Sequence, residues 1–495
     1  MATPGTARMK RHRIAVIGGG IGGLTAAGLL AKEGHDVTLF ERGPTLGGKA
    51  QGVTLEGITL DTGPTLLTLP HLVRGTFEAL GALDLLPPFL ELERQCVYRY
   101  GDGCVFTAYK DLERMADSAG ELRPSERSGV LSFYQEAEAI HQAAGEPYLE
   151  APYEGMSGFM ARVARRGLGA VRAGLRLSTL HALAERHFKT EHLQQFVGRF
   201  ATYTGASPYE ASAAFALIPH IERAYGTHHV RGGIGALVEA LGQAVRRQGV
   251  TVCLNAQARY ERDAQGAWRV GPVGEAEAYD SVVVNADPLA SLRREGEPLA
   301  LSGVVMLLEV AGRPSVPHHS VLFGRDYRRE FSELFSGRLA TDPTVYVCAP
   351  GATDDSMAPP GRAGLFVMVN APALPTARAA AAQETEAWAG HAERVRAQAF
   401  EKLYAHFPEL KGRVKVLGQR TPVDWAAQGA PGGSIYGFLP HGKLGAFRRP
   451  RIRGSSPGLF FVGGGTHPGG GVPMVMLSGH FAARMTSGHL RGGDA

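Results

Sequence analysis

The residues best placed to do chemistry stand near the start of the chain. Gly18-x-Gly20-x-x-Gly23 follows an apolar run and opens a helical one, and Glu41 stands 23 residues after the first glycine. Each has a physical task. Gly18 permits a tight turn, Gly20 lets a pyrophosphate approach the backbone, Gly23 lets helix and strand pack closely, and the helix N-terminus attracts phosphate charge. A carboxylate ending the second strand accepts hydrogen bonds from an adenosine ribose, which assigns that role to Glu41. The run continues through Arg42, Gly47, Gly48 and Lys49, and Asp61-Thr62-Gly63-Pro64 adds another tight turn. A mobile nicotinamide needs no such extension. A buried flavin does, because its ribityl chain and ring are held by backbone donors from distant segments. The expected cofactor is FAD.

Other reactive groups fall into no competing pattern. There is no GxSxG elbow and no HExxH, and Cys96, Cys104, Cys253 and Cys348 have neither CxxC nor zinc spacing. His228-His229 and His318-His319 are adjacent pairs whose rings point in different directions, with no carboxylate or cysteine pattern beside them. They read as solvated side chains, and no metal is expected.

These residues must be held by a fold. Arg13–Ile17, the glycine turn, a helix from Ile21 to Glu33 and a strand from Asp36 to Glu41 form one βαβ unit. The alternation returns with a helix from Gly233 to Gln248, strands at Val250–Leu254 and Tyr279–Asn285, then Gly458–Val462, a glycine loop and a helix from Val472 to Met485. The reading is an α/β fold. Residues 1–70, 229–288 and 441–495 make one discontinuous dinucleotide-binding domain, and 71–228 form a mainly helical insertion with a hairpin at Val97–Tyr109 turning on Gly101-Asp102-Gly103. Residues 289–440 make an α+β substrate region with strands at Gly303–Val310, Val345–Ala349 and Gly364–Asn370 and a helix from Gln383 to His406.

Composition bounds the function. A chain of 495 residues has room for about three lobes. A net charge of +5 is too weak for a nucleic-acid argument. The charge is nevertheless concentrated: between Met156 and Lys189 stand Arg162, Arg165, Arg166, Arg172, Arg176, Arg186 and Lys189 against Glu185 alone. Phe159, Met160, Val163, Leu168, Val171, Leu175 and Leu177 alternate with them, which fits either a basic face on anionic lipid or an ordinary solvated helix. The uncharged stretch Ile14–Ala31 is no membrane helix, since its six glycines would each weaken a helix by ~1 kcal/mol.

The run GLFFVGGGTHPGGGVPM over residues 458–474, with the glycine fingerprint, Val283-Val284-Asn285-Ala286-Asp287-Pro288 and the segment 229–237, resembles the carotenoid desaturase and isomerase flavoproteins related to phytoene desaturase, similar in fold to amine oxidases. The good matches cover roughly residues 13–68, 229–288 and 425–485. The segments 432–437 (GGSIYG), Pro440-His441-Gly442 and Phe447-Arg448-Arg449-Pro450 are similar to hydroxycarotenoid 3,4-desaturases.

The resemblance implies a Rossmann-type FAD domain with an inserted α+β substrate domain and a helical, membrane-associated region. Gly18, Gly20, Ile21, Gly22 and Gly23 would meet the pyrophosphate, with Glu41 at the ribose, Arg42, Gly48 and Lys49 nearby, and the Ala258 backbone at adenine. Gly464, Val472, Pro473 and Met474 would approach the flavin. His467, in the same loop, has two readings: a catalytic group that orients the ring or shuttles a proton, or a loop residue bonding backbone.

The implied partners are a hydrophobic carotenoid, a membrane surface on its cytoplasmic side, and oxygen or a quinone as electron acceptor. Inside the family, phytoene desaturase and carotenoid isomerase are alternatives. Outside it stand an amine oxidase-like flavin oxidase and a non-enzymatic prenyl-chain-binding chaperone.

Overall fold

The computed structural model describes residues 10–166, 178–287, 297–375 and 381–492, with backbone alone at 381–385. Its centre is a five-stranded parallel sheet in the order Leu459–Phe461, Ser281–Val284, Arg13–Ile17, Asp36–Phe40, Thr251–Cys253. Period-two alternation divides its side chains between two layers. Ile14, Val16, Val283 and Phe460 pack against the helices Ile21–Lys32, Gly233–Arg247 and Val472–Leu490. Ala15, Val282, Val284, Leu459 and Phe461 face the opposite way, towards Trp268, Val270 and Tyr279 of an antiparallel meander spanning Arg259–Arg262, Trp268–Gly271 and Glu277–Tyr279. Each fully buried large apolar side chain here contributes about 1.5–3 kcal/mol. The run expected as one strand from Tyr279 to Asn285 is thus divided, because Tyr279 closes the meander and Ser281 begins the parallel strand.

A second sheet of seven strands runs Val414–Arg420, Ser302–Ala311, Arg362–Ala371, Val345–Cys348, His319–Leu322, Arg94–Arg99, Val105–Tyr109. The hairpin Arg94–Tyr109 joins it through a parallel pairing of Ser320 with Val97, so the segment before residue 228 supplies strands as well as helices. Val304, Met306 and Leu308 lie under the helix Ala381–His406, against Trp388, Val395 and Leu403. Val305, Leu307, Cys348 and Phe366 face the other way, onto the hairpin Gly52–Asp61 of the nucleotide lobe. Helices Leu112–Leu122, Pro124–Ile140, Leu180–His187 and Glu191–Gly198 complete the second lobe.

The first helix of the basic stretch turns apolar residues into the protein. In the helix Met156–Arg165, Phe159 and Val163 are buried against Tyr148, Tyr153 and Phe447, so their apolar face is spent inside the protein and Met160 is the exposed member. Arg162 donates to the Pro147 carbonyl at 2.9 Å, Arg166 pairs with Glu146, and Arg186 with Glu136 at 2.8 Å. Leu168, Val171, Arg172, Leu175, Arg176 and Leu177 lie outside the described residues. Among the described residues no helix is long and apolar enough to cross a membrane.

Candidate active site

The site begins where the strand Arg13–Ile17 ends. Gly18 has φ +100°, a left-handed conformation that favours glycine, and its N–H donates to the Phe40 carbonyl at 2.7 Å. Three residues on, the helix Ile21–Lys32 starts with no side-chain cap among the described residues, leaving first-turn N–H groups to a ligand. Gly23 fits because a Cβ there would stand 2.2 Å from the Gly18 carbonyl oxygen. The glycine loops from opposite ends of the chain meet here, with a Cβ on Gly22 only 3.1 Å from the Gly463 nitrogen.

Glu41 clamps this loop. One carboxylate oxygen accepts the Gly19 N–H at 2.7 Å and the other accepts the Gly43 N–H at 2.7 Å. Its backbone carbonyl accepts the Ala256 N–H at 2.8 Å, which draws in the segment carrying Ala258, itself packed beside Phe40 and Cys253. Gly47 donates to the Gly19 carbonyl at 2.8 Å, so Gly48 comes to lie across Gly20. Lys49 stays open to solvent yet reaches into the body of the protein, where its Nζ donates to the Ile435 carbonyl at 3.1 Å. Desolvation holds its pKa below the ordinary lysine value, opposed by the charge of Asp287. Its reach to Ile435 places it at the seam between the nucleotide lobe and the second sheet. Arg42 lies near Gly429.

The C-terminal loop forms the facing wall. Gly463 N–H donates to Ser478 Oγ at 3.0 Å and the buried Arg449 donates to the Gly464 carbonyl at 2.7 Å. Val472 and Pro473 are buried, Val472 in the core of the nucleotide lobe, so this segment offers backbone and the half-buried Met474. The helix that starts at Val472 is also uncapped by a side chain, and a Cβ on Gly470 would meet nothing within 4 Å. Two helix N-termini without side-chain caps among the described residues and the glycine cradle between them fit a dinucleotide.

His467 is buried away from solvent within an aromatic cage of Tyr148, Tyr153 and Phe481. Its Nε2 donates to the Ala151 carbonyl at 3.2 Å, and Nδ1 has no partner among the described residues. Burial pushes its pKa down to about 4, so the ring is neutral near pH 7. Between an ordinary value near 6.5 and about 4, the unfolded chain takes up the proton that the folded state refuses. Stability contributed by this residue therefore falls as pH drops through that window, and levels off below it. Relative to His467→Gln, the wild type is expected to lose up to about 3 kcal/mol between pH 6.5 and 4. Denaturant melts of both proteins across that range check this, and parallel pH profiles would contradict it.

Two features escaped the reading of the sequence. Asn285 ends the strand Ser281–Val284, donates from Nδ2 to the Gly18 carbonyl at 3.2 Å, and lies against the positions of Gly20, Gly22, Gly23 and Gly463. The available signal was a lone amide closing the run of three valines from Val282 to Val284. The histidine pairs are not solvated. His228, His229, His318 and His319 are all buried, because His228–Val230 pairs with Phe89–Glu91 and His319–Leu322 lies inside the seven-stranded sheet.

In the second lobe, buried Arg199 donates to Tyr98 Oη and Tyr203 Oη, each at 2.8 Å, and the Tyr203 hydroxyl donates to Glu222 at 2.5 Å. Burial raises the Glu222 pKa. Phe196, Phe200 and Phe323 surround this cluster.

Comparison with known proteins agrees with this geometry. Residues 21–485 match the flavin containing amine oxidoreductase family, and the chain belongs to that family. It is 32% identical to a hydroxyneurosporene desaturase of Rubrivivax gelatinosus, over 97% of this chain and 94% of the relative. It is 30% identical to a zeta-carotene-forming phytoene desaturase of Myxococcus xanthus, over 98% and 96%. Within the family it is thus an FAD-dependent oxidoreductase of the carotenoid-desaturase type. Solved structures share the fold at lower identity: a putrescine oxidase variant (TM-score 0.64, 15% identical, 96% of this chain and 99% of that one) and the cyclohexylamine oxidase of Brevibacterium oxydans (0.60, 14%, 98% and 99%).

Proposed function

We propose that this protein desaturates an acyclic carotenoid bearing a terminal hydroxyl group, removing hydrogens from two adjacent carbons. Bound FAD supplies the hydride acceptor. The chain's own part is to hold the dinucleotide on its two glycine loops, exclude water from the site and fix the register of the polyene.

The observation that carries the substrate reading is the cluster of Arg199, Tyr98, Tyr203 and Glu222 inside an aromatic lobe. Burying charge in such surroundings is expensive, and a hydrocarbon substrate gives it no use. A hydroxyl-bearing end group does, since Tyr98 and Glu222 keep hydrogen-bonding capacity beyond the bonds of the cluster itself, and a site that bonds a hydroxyl discriminates strongly against analogues that lack it. The likeness to a hydroxyneurosporene desaturase supports the same choice. Likeness to a phytoene desaturase supports the earlier pathway step instead.

Expression in hosts that separately accumulate phytoene, lycopene and 1-hydroxylycopene tests this, with loss of two hydrogens read by mass and absorption. Loss confined to the hydroxylated substrate is the expected result. Loss from phytoene moves the assignment to phytoene desaturase. No loss from any of them, in flavin-loaded protein, leaves an isomerase, a flavin oxidase or a chaperone. Tyr203→Phe keeps the ring and removes the hydroxyl between Arg199 and Glu222. It is expected to reduce turnover of the hydroxylated substrate about 10-fold or more, and an unchanged rate would contradict the role. On this reading the polyene is loaded from the cytoplasmic face of a membrane, where it partitions, and reduced flavin is reoxidised by oxygen or a quinone. Sedimentation with anionic liposomes checks the first point.

A further inference from the structure

We propose that His318, His319 and Cys348 form a binding site for one thiophilic transition-metal ion of the zinc or copper(I) class. The sheet brings these residues together. His319 and Cys348 are direct partners across the antiparallel pair His319–Leu322 and Val345–Cys348, which puts their side chains on one face. The Ala349 N–H donates to the His318 carbonyl at 2.8 Å, which extends the ladder and fixes His318 beside them. One ligand atom from each residue lies within 4.8 Å of the other two. Relative exposures are 6%, 2% and 2%.

The hydrogen bonds select the ligating atoms. His318 Nδ1 is bonded to Thr353 Oγ1 at 2.7 Å, and His319 Nδ1 to Tyr346 Oη at 2.8 Å. Metal-binding histidines use this arrangement, in which one ring nitrogen is anchored by an outer partner and the other is aimed at the ion. Among the described residues, Nε2 of both rings is buried without a partner. An orphaned nitrogen in a protein interior is costly, and two in adjacent residues call for a shared occupant.

The third donor sets the kind of ion. One sulfur and two imidazole nitrogens favour zinc or copper(I) over calcium, magnesium or manganese, which take oxygen ligands. Cys348 binds as thiolate, its proton leaving as the metal–sulfur bond forms, one proton per ion. Such an ion would pin two central strands together and, through Tyr346 Oη, fix the Thr65 hydroxyl 2.7 Å away.

The test uses the full chain with FAD bound, loaded with zinc(II) or, anaerobically, copper(I), and passed over a chelating resin. About one equivalent of one of these metals is expected to remain, with one sulfur and two imidazoles in its X-ray absorption fine structure. Cys348→Ala and His319→Gln are expected to lower affinity at least tenfold while flavin content stays unchanged. Cys104→Ala, which alters the exposed group of Asp102, Cys104 and His192, is expected to leave binding intact. Complete stripping of both metals from the wild type would overturn the proposal. So would a coordination shell without sulfur, or loss of metal in Cys104→Ala. The wild-type measurements decide the matter even where a variant fails to fold.

Discussion

An alanine at position 23 is expected to leave the protein without bound FAD and several kilocalories less stable. The added Cβ would stand 2.2 Å from the Gly18 carbonyl oxygen and 3.1 Å from the Asn285 Cβ. Relief cannot come from a side-chain rotation, because the obstacle is backbone held by the Asn285 amide. Overpacking typically costs about 1–3 kcal/mol, and a rigid obstacle places this case at or above the top of that range. The turn that must move is also the one we propose to receive the pyrophosphate. Gly488→Ala is the matched control, since a Cβ there, inside the helix Val472–Leu490, meets nothing within 4 Å, and a change of less than ~1 kcal/mol is expected. Flavin absorbance per chain and a thermal melt read both outcomes. Stoichiometric FAD in Gly23→Ala with an unshifted melt would sink the packing argument.

The second large effect belongs to Glu41. Its two carboxylate oxygens each accept a backbone N–H at 2.7 Å, and hydrogen bonds to a charged partner are each worth about 1.5–3 kcal/mol. Glu41→Ala removes both and leaves the Gly19 and Gly43 N–H groups unpaired at the mouth of the dinucleotide site. FAD affinity is expected to fall about 100-fold or more, with the loss shared between loop order and ribose contact. Glu41→Gln is expected to recover part of it, because the amide presents one acceptor and turns an N–H towards the other donor. Equilibrium dialysis against FAD separates the three proteins. Equal affinity in Glu41→Ala and the wild type would remove Glu41 from the site.

The parts legible in the sequence are those whose cause is local. The strand, turn and helix around Gly18 to Gly23 follow from the spacing of glycines and apolar residues, and Glu41 is placed by strand length alone. The C-terminal loop is equally legible, since Gly463, Gly469 and Gly471 take positive φ and announce a special backbone. What stayed hidden depends on pairing at a distance. Nothing near Val97 indicates Ser320 as its neighbour, and nothing near Cys348 indicates His319; both contacts arise from strand order in the seven-stranded sheet. Phe159 and Val163 fitted either a lipid-facing stripe or an ordinary helix, because periodicity gives the direction of an apolar face and is silent on what covers it. Phe447, nearly 300 residues later, covers this one.

The order of strands in the parallel sheet has a consequence for biosynthesis. The strand Arg13–Ile17 leaves the ribosome early, but one of its neighbours is Ser281–Val284, and the edge strand beyond that is Leu459–Phe461. Such distant pairings carry loop-closure entropy that slows folding. The nascent nucleotide lobe therefore lacks one of the three helices that cover Ile14, Val16 and Val283 until Val472–Leu490 has been made. A flavin held by both glycine loops is captured only after residues 463–471 have joined the first loop.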